Sequence, residues 1–272
     1  MQDKNQFDLI ISLFSNGKAQ EALDQLDPLI KDNPNNAVLF NISGACYAHI
    51  GEPIMAIKQY EQAIEIDSNY SEAYSNLGIT LQELGELENA LESFEKAFSL
   101  KPEKIENANT ISSILEEIND PNISVEYYQK IIKSSPGLYI VHFNLGIAYQ
   151  KLNFVDEAIN SYKDAINLHP KFADAYLNLG IILEDSEKSA EALVNLEKAI
   201  EIEPNNSVIW NNLGITLKSL ERIDDSIKNF EKAIEHGPDD SSIYYNLGLT
   251  LRDINRIDEA IINFEKAILL DP

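Results

Sequence analysis

Residues 207–240, SVIWNNLGITLKSLERIDDSIKNFEKAIEHGPDD, decide the architecture. With these residues taken as places 1 to 34, Trp210, Leu213, Gly214 and Leu217 stand at places 4, 7, 8 and 11. That i, i+3, i+4, i+7 spacing is the apolar stripe of an amphipathic helix, helix A. Ser226, Phe230 and Ala233 at places 20, 24 and 27, with Ile227 and Ile234 beside them, make a second stripe, helix B. Residues 220–223 between the stripes leave room only for a short turn, so the two helices must be antiparallel neighbours. One hairpin cannot bury both stripes alone.

Working outward, the same pattern fills the chain. The 272 residues hold eight units of 34, at 3–36, 37–70, 71–104, 105–138, 139–172, 173–206, 207–240 and 241–272, the last ending at place 32. Seven of ten prolines, Pro34, Pro102, Pro136, Pro170, Pro204, Pro238 and Pro272, fall on place 32. Six of eleven glycines, Gly44, Gly78, Gly146, Gly180, Gly214 and Gly248, fall on place 8. A fixed period of this size signals stacked repeats rather than one closed core. Each recurring residue has a mechanical reason. Glycine at place 8 lets helix B come close, at a helix-propensity cost of about 1 kcal/mol relative to alanine. The large residue at place 24 (Tyr60, Phe94, Tyr128, Tyr162, Phe230, Phe264) fills what remains, and proline at place 32 ends helix B.

These residues resemble the tetratricopeptide repeat (TPR) family, whose pattern is visible as Tyr74, Leu77, Gly78, Leu81, Ala90, Phe94, Ala97 and Pro102. The resemblance covers essentially the whole chain. It implies an all-α fold, a right-handed TPR superhelix (an α-solenoid) of eight helix-turn-helix repeats with a groove lined by the A helices. Departures stand out at two units. The first has Gln6, Ile10 and Leu29 at places 4, 8 and 27, as an atypical terminal repeat does. The fourth has Ala108, Ser112, Ser124 and Ile131 where an aromatic, Gly, Ala and Ala are usual, and is expected to be the least regular joint. The chain stops at a unit's end without a polar capping helix, which points to a fragment of a longer protein or a self-associating end.

Composition excludes several function classes. Forty-five Asp and Glu against 21 Lys and Arg leave a net charge of −24, which repels nucleic acid and anionic membrane. The single cysteine, Cys46, allows neither an internal disulfide nor a cysteine cluster for zinc, and the four histidines are dispersed. No metal and no cofactor is expected. The apolar run 9–14 is too short for a secretory core, and no run reaches the eighteen apolar residues of a membrane helix, so the expected setting is cytoplasmic. Cys46 and His49 lie three apart on a helix, but Cys46 at place 10 points to a repeat interface and reads as structural. His142 takes the aromatic place 4 and reads as core, while His169 and His236 fall at turns.

At 100° per residue, places 2, 5, 6, 9, 12 and 13 of helix A lie opposite the core stripe and should face the groove. Place 6 is asparagine in five units: Asn76, Asn144, Asn178, Asn212 and Asn246. An amide both donates and accepts, so such a ladder can hold an extended main chain whatever its side chains. The TPR region of O-linked N-acetylglucosamine transferase is known for such a ladder; the alternative is that these amides tie one helix to the next. Place 9 carries Ile79, Ile147, Ile181, Ile215 and Leu249, and place 5 adds Phe143, Leu177 and Tyr245. Glu72, Glu83, Glu106, Glu116 and Glu117 place negative charge on the third and fourth units, which suits a ligand with basic residues. A carboxylate clamp needs groove cations, and only Lys4 sits at such a place. The leading reading is a non-catalytic scaffold that binds an extended polypeptide. Two others stand beside it: the substrate-recognition arm of a larger enzyme such as a glycosyltransferase, and a scaffold that self-associates through its uncapped C-terminal repeat.

Overall fold

The computed structural model describes the backbone of residues 2–102 and 105–272, and side chains from 6–102 and 108–272. Its regular structure among these residues is helical: α1 (Gln2–Ser15), α2 (Ala19–Asp32), α3 (Ala37–His49), α4 (Pro53–Ile66), α5 (Ser71–Glu83), α6 (Leu87–Leu100), α7 (Ile105–Ile118) and α8 (Pro121–Ser134). Then follow α9 (Tyr139–Lys151), α10 (Val155–Leu168), α11 (Ala173–Asp185), α12 (Ser189–Ile202), α13 (Ser207–Ser219), α14 (Ile223–His236), α15 (Ser241–Asp253) and α16 (Ile257–Leu270). Odd-numbered helices are the A helices and even-numbered ones the B helices. The chain divides between the fourth and fifth repeats into two compact units, Met1–Pro136 and Gly137–Pro272. Within each unit every A helix pairs with its own B helix, and each B helix packs on the next A helix.

The joints between hairpins show what the stripes bury. In the second unit, Ile227, Phe230 and Ala233 of α14 pack against Ile243 and Leu247 of α15. Leu196 and Ala199 of α12 meet Ile209 and Leu213 of α13 in the same way. Places 21, 24 and 27 of one repeat therefore receive places 3 and 7 of the next. Fully burying each such large side chain contributes about 1.5–3 kcal/mol. Glycine at place 8 is required by close approach: a Cβ on Gly214 would lie 2.6 Å from Phe230 Cε1. The Ser226 hydroxyl at place 20 donates to the Gly214 carbonyl at 2.7 Å, closing the same contact from the other side.

Local chemistry sets the helix ends. Asn206 Oδ1 accepts from the Val208 and Ile209 amides to start α13, and Asn36, Asp120 and Asp240 start α3, α8 and α15 similarly. Pro28 lies inside α2, a further departure of the first repeat. In the fourth repeat the core is filled without glycine: Ser112 turns its hydroxyl to the Ala108 carbonyl at 3.0 Å, and Ile131 is buried.

The A-to-B turn has a requirement at place 15. All eight residues there have positive φ: Gly17, Gly51 and Gly85, then Asn119, Asn153, Glu187, Glu221 and Asn255. A side chain with a Cβ in this left-handed conformation costs roughly 1–2 kcal/mol, least for asparagine. Set against the entropy glycine adds to the unfolded chain, Glu221→Gly is expected to stabilise the protein by about 0.5–1 kcal/mol. A rise in the urea midpoint at constant m-value checks this, and a fall contradicts it.

Candidate functional site

The five asparagines at place 6 are all half-buried, and their amides are partly committed. Asn76 Nδ2 on α5 donates to Asn41 Oδ1 on α3 at 3.0 Å, and Asn41 in turn donates to the Tyr70 hydroxyl at 3.3 Å. Asn246 Nδ2 on α15 donates to Asn211 Oδ1 on α13 at 3.1 Å. Each pair runs from place 6 of one A helix to place 5 of the A helix before it. Asn178 hydrogen-bonds the Tyr162 hydroxyl, which itself donates to Gln150 Oε1 at 2.7 Å. Burial drives the Tyr162 phenol far above its ordinary pKa, so it stays neutral. Asn212 Nδ2 donates to the Val208 carbonyl of its own helix at 2.8 Å. Asn76, Asn178 and Asn246 thus tie neighbouring helices. The Asn76 and Asn246 bonds each use one N–H of an amide that has two N–H donors and a carbonyl, so these two residues commit only part of their hydrogen-bonding capacity to them.

Around the amides lies the apolar row. Ile79 is 47% exposed and Tyr245 52%, whereas Ile147, Ile181, Ile215 and Leu249 are half-buried. Phe143 is half-buried too, its ring centroid 4.8 Å from Phe172 and 5.8 Å from Tyr162. Place 5 does not face the groove throughout. Leu177 is only 9% exposed and packs into the core with Leu196 and Leu213, while Asn41 and Asn211 are buried beneath their place-6 partners. The reason is that place 5 lies on the flank where consecutive A helices touch.

Each unit has a cleft on this surface. In the first unit a cleft of about 400 Å³ is lined by Phe14 of α1, Ala45, Ala48 and His49 of α3, Tyr60 of α4, and Asn76, Ile79, Thr80 and Glu83 of α5. Tyr60 hydrogen-bonds Thr80, and burial pushes its phenol up to about 12, so the floor is uncharged. In the second unit a cleft of about 400 Å³ is lined by Ile215, Lys218 and Ser219 of α13, Phe230 of α14, and Asn246 and Leu249 of α15.

Charge is less one-sided than the sequence spacing implies. Lys101, in the turn after α6, reaches back to Glu72 at 2.5 Å, so that carboxylate is neutralised. Glu106 and Lys4 lie outside the described side chains. Glu83, Glu116 and Glu117 are exposed and make no ion pair among the described residues. In the second unit Asp253 takes both Lys218, at 2.7 Å, and Arg252, at 2.9 Å.

The remaining reactive side chains are structural in placement. Cys46 is fully buried, and burial pushes its thiol up to about 11, away from the thiolate a nucleophile needs. His49 is exposed, with its ring edge-on to Phe14 at 5.9 Å. His142 is buried with Nδ1 3.8 Å from Asp164, and His169 stacks on Tyr139 at 4.5 Å. His236 is the last residue of α14, not part of the turn that follows. Among the described residues no group of His, Cys, Asp and Glu could hold a metal ion, and no helix is long and apolar enough to cross a membrane. On α16, Ile262, Ile268 and Leu269 are exposed.

Comparison with known proteins agrees with this architecture. Family models described as TPR repeat match residues 55–85 and 155–187, and models described as tetratricopeptide repeat match 71–104, 173–206 and 205–270. No curated protein sequence matches the chain significantly. Among solved structures, MamA is 25% identical with a TM-score of 0.55, over 59% of this chain and 94% of that one. The C-terminal part of a TPR repeat-containing protein from Cytophaga hutchinsonii is 18% identical with a TM-score of 0.64, over 89% of this chain and 99% of that one. YrrB, a TPR protein with an unusual peptide-binding site, is 23% identical with a TM-score of 0.51, over 68% of this chain and 95% of that one. The helix-hairpin period, the place-8 contacts and these matches lead to one conclusion: the chain belongs to the tetratricopeptide repeat family.

Proposed function

We propose that this chain is a non-catalytic protein-interaction scaffold whose A-helix surface, in each unit, holds an extended polypeptide. The observation that carries this reading is the repeat-spaced pairing of half-buried amides with accessible apolar residues: Asn76 with Ile79, and Asn246 with Tyr245 and Leu249. Amides at this spacing offer donors and acceptors to a main chain, and the apolar row offers contact area for alternate side chains. YrrB, described as having an unusual peptide-binding site, has the same kind of fold, which supports a peptide as the ligand class.

The asparagines are unequal as probes. Asn178→Ala removes a partner of the buried Tyr162 hydroxyl and is expected to cost about 1 kcal/mol of stability. Asn212→Ala removes only a bond within its own helix and leaves stability near wild type. The test is display selection of random dodecapeptides on the full chain, followed by anisotropy measurements with the selected peptides. Wild type is expected to bind with micromolar affinity, about −8 kcal/mol. Asn212→Ala combined with Tyr245→Ala is expected to weaken peptides that use the second unit about tenfold, with unchanged thermal unfolding. Selection that yields no binder, or binders indifferent to substitutions in both units, contradicts the groove reading.

A further inference from the structure

The cleft of the first unit owes its existence to missing bulk. Place 9 is isoleucine in five other repeats, and place 12 elsewhere holds nothing smaller than glutamine, lysine or glutamate, but α3 has Ala45 and Ala48 at these places. One turn apart on one face of α3, the two alanines leave an opening between Phe14 of α1 and Ile79 of α5. Phe14, Ala45, Ala48 and Ile79 give the cleft an apolar wall, and His49, Asn76, Thr80 and Glu83 supply its polar surface. The floor is the neutral Tyr60 hydroxyl, already engaged with Thr80. At the end of α5 stands Glu83, exposed and with no ion pair among the described residues, and no Lys or Arg lines the cleft. The corresponding cleft of the second unit ends instead at Lys218, which Asp253 already neutralises at 2.7 Å.

A slot with an apolar wall and one unpaired carboxylate at its end matches a side chain with an apolar stem and a cationic head. An acidic side chain would be repelled by Glu83, and a purely aliphatic one would leave that charge without a counter-ion. We infer that the cleft formed by α1, α3 and α5 is a pocket for one lysine or arginine of the bound polypeptide. The stem lies along Phe14, Ala45, Ala48 and Ile79, and the head meets Glu83 beside the Asn76 amide. This inference rests on the groove reading and names the side chain that the first unit selects.

The experiment uses the full chain. Random dodecapeptides are selected by display on wild type, and the enriched peptides are synthesised with the basic residue kept or replaced by norleucine. The expected result is a fixed Lys or Arg position, with affinity about tenfold weaker for the norleucine peptide and for Glu83→Gln, as suits a charge-assisted hydrogen bond. Ala45→Ile, which inserts the residue most repeats carry at place 9, is expected to weaken the same peptides about tenfold without any change of charge. A Glu83→Gln effect without an Ala45→Ile effect would mean general attraction to an acidic surface, and overturns the pocket. Peptides enriched without a basic position overturn the pocket too, while the groove reading stands. Failure to select any peptide overturns both.

Discussion

Phe230→Ala is expected to lower unfolding free energy by about 4 kcal/mol, the usual range for emptying a buried phenylalanine site being 3–5. The ring is fully buried. It fills the joint between α14 and α15 with Ile243 and Leu247, and it lies under Gly214 on α13. Three helices converge on it, so no single neighbour can move in to close the hole. A domain's total stability is about 5–15 kcal/mol, so the loss is a large share. In a repeat array each hairpin touches only its neighbours, so the damage should be concentrated near α13–α15 rather than shared by both units. Urea unfolding followed by hydrogen exchange on amides of the two units reads both quantities. A loss below about 1.5 kcal/mol would mean that the joint collapses around the alanine and that place 24 is not what holds it.

Much of this was legible in the sequence because two periods coincide there. The 3.6-residue stripe of Trp210, Leu213, Gly214 and Leu217 gives the helix, and its return every 34 residues gives the stack. Gly214 and Phe230 could be matched because both recur at fixed places. Place 3 is not marked by that stripe: Ile209 and Ile243 anchor the joints, yet they stand outside the face that a helix turns to its own hairpin partner. The left-handed turn at place 15 was hidden because glycine marks it only at Gly17, Gly51 and Gly85, and Asn or Glu takes over afterwards.

The site was legible in part, and for a different reason. Which residues sit on the outer side of an A helix follows from 100° per residue, and Asn76, Ile79, Glu83 and Tyr245 are there. Their partners are not inferable from spacing within one helix. Asn76 bonds Asn41 one repeat back, and Glu72 is neutralised by Lys101 from a turn 29 residues on. Leu177 went into the core because the flank of α11 is covered by its neighbours. The first cleft is made by Ala45 and Ala48, that is, by atoms that are absent. Reading for chemistry-bearing residues passes over alanines.

Gly214→Leu is expected to cost about 3 kcal/mol, the upper part of the usual range for overpacking. A Cβ there would lie 2.6, 2.7 and 2.9 Å from three ring carbons of Phe230, well inside contact distance. The ring has nowhere to go, because the joint on its far side is closed by Ile243 and Leu247. Replacing glycine adds about 1 kcal/mol of helix propensity, which offsets part of the clash and is why the expected loss is not larger. The two substitutions occupy one space, so they should not add. Separately they lose about 4 and 3 kcal/mol, but in Gly214→Leu with Phe230→Ala the new leucine enters the volume the ring has left. The double variant is expected to lose about 4 kcal/mol, a coupling of about 3, the most that contacting residues usually show. At Gly180 a Cβ would lie 2.6 Å from Leu196, so place 8 is crowded even where place 24 holds a side chain smaller than phenylalanine, and the double variant makes room because alanine is smaller still. Urea unfolding of the four proteins gives the coupling directly. Losses that add to within about 0.5 kcal/mol would show the two places to be independent, and the recurrence of glycine at place 8 would then need a cause other than the ring opposite it.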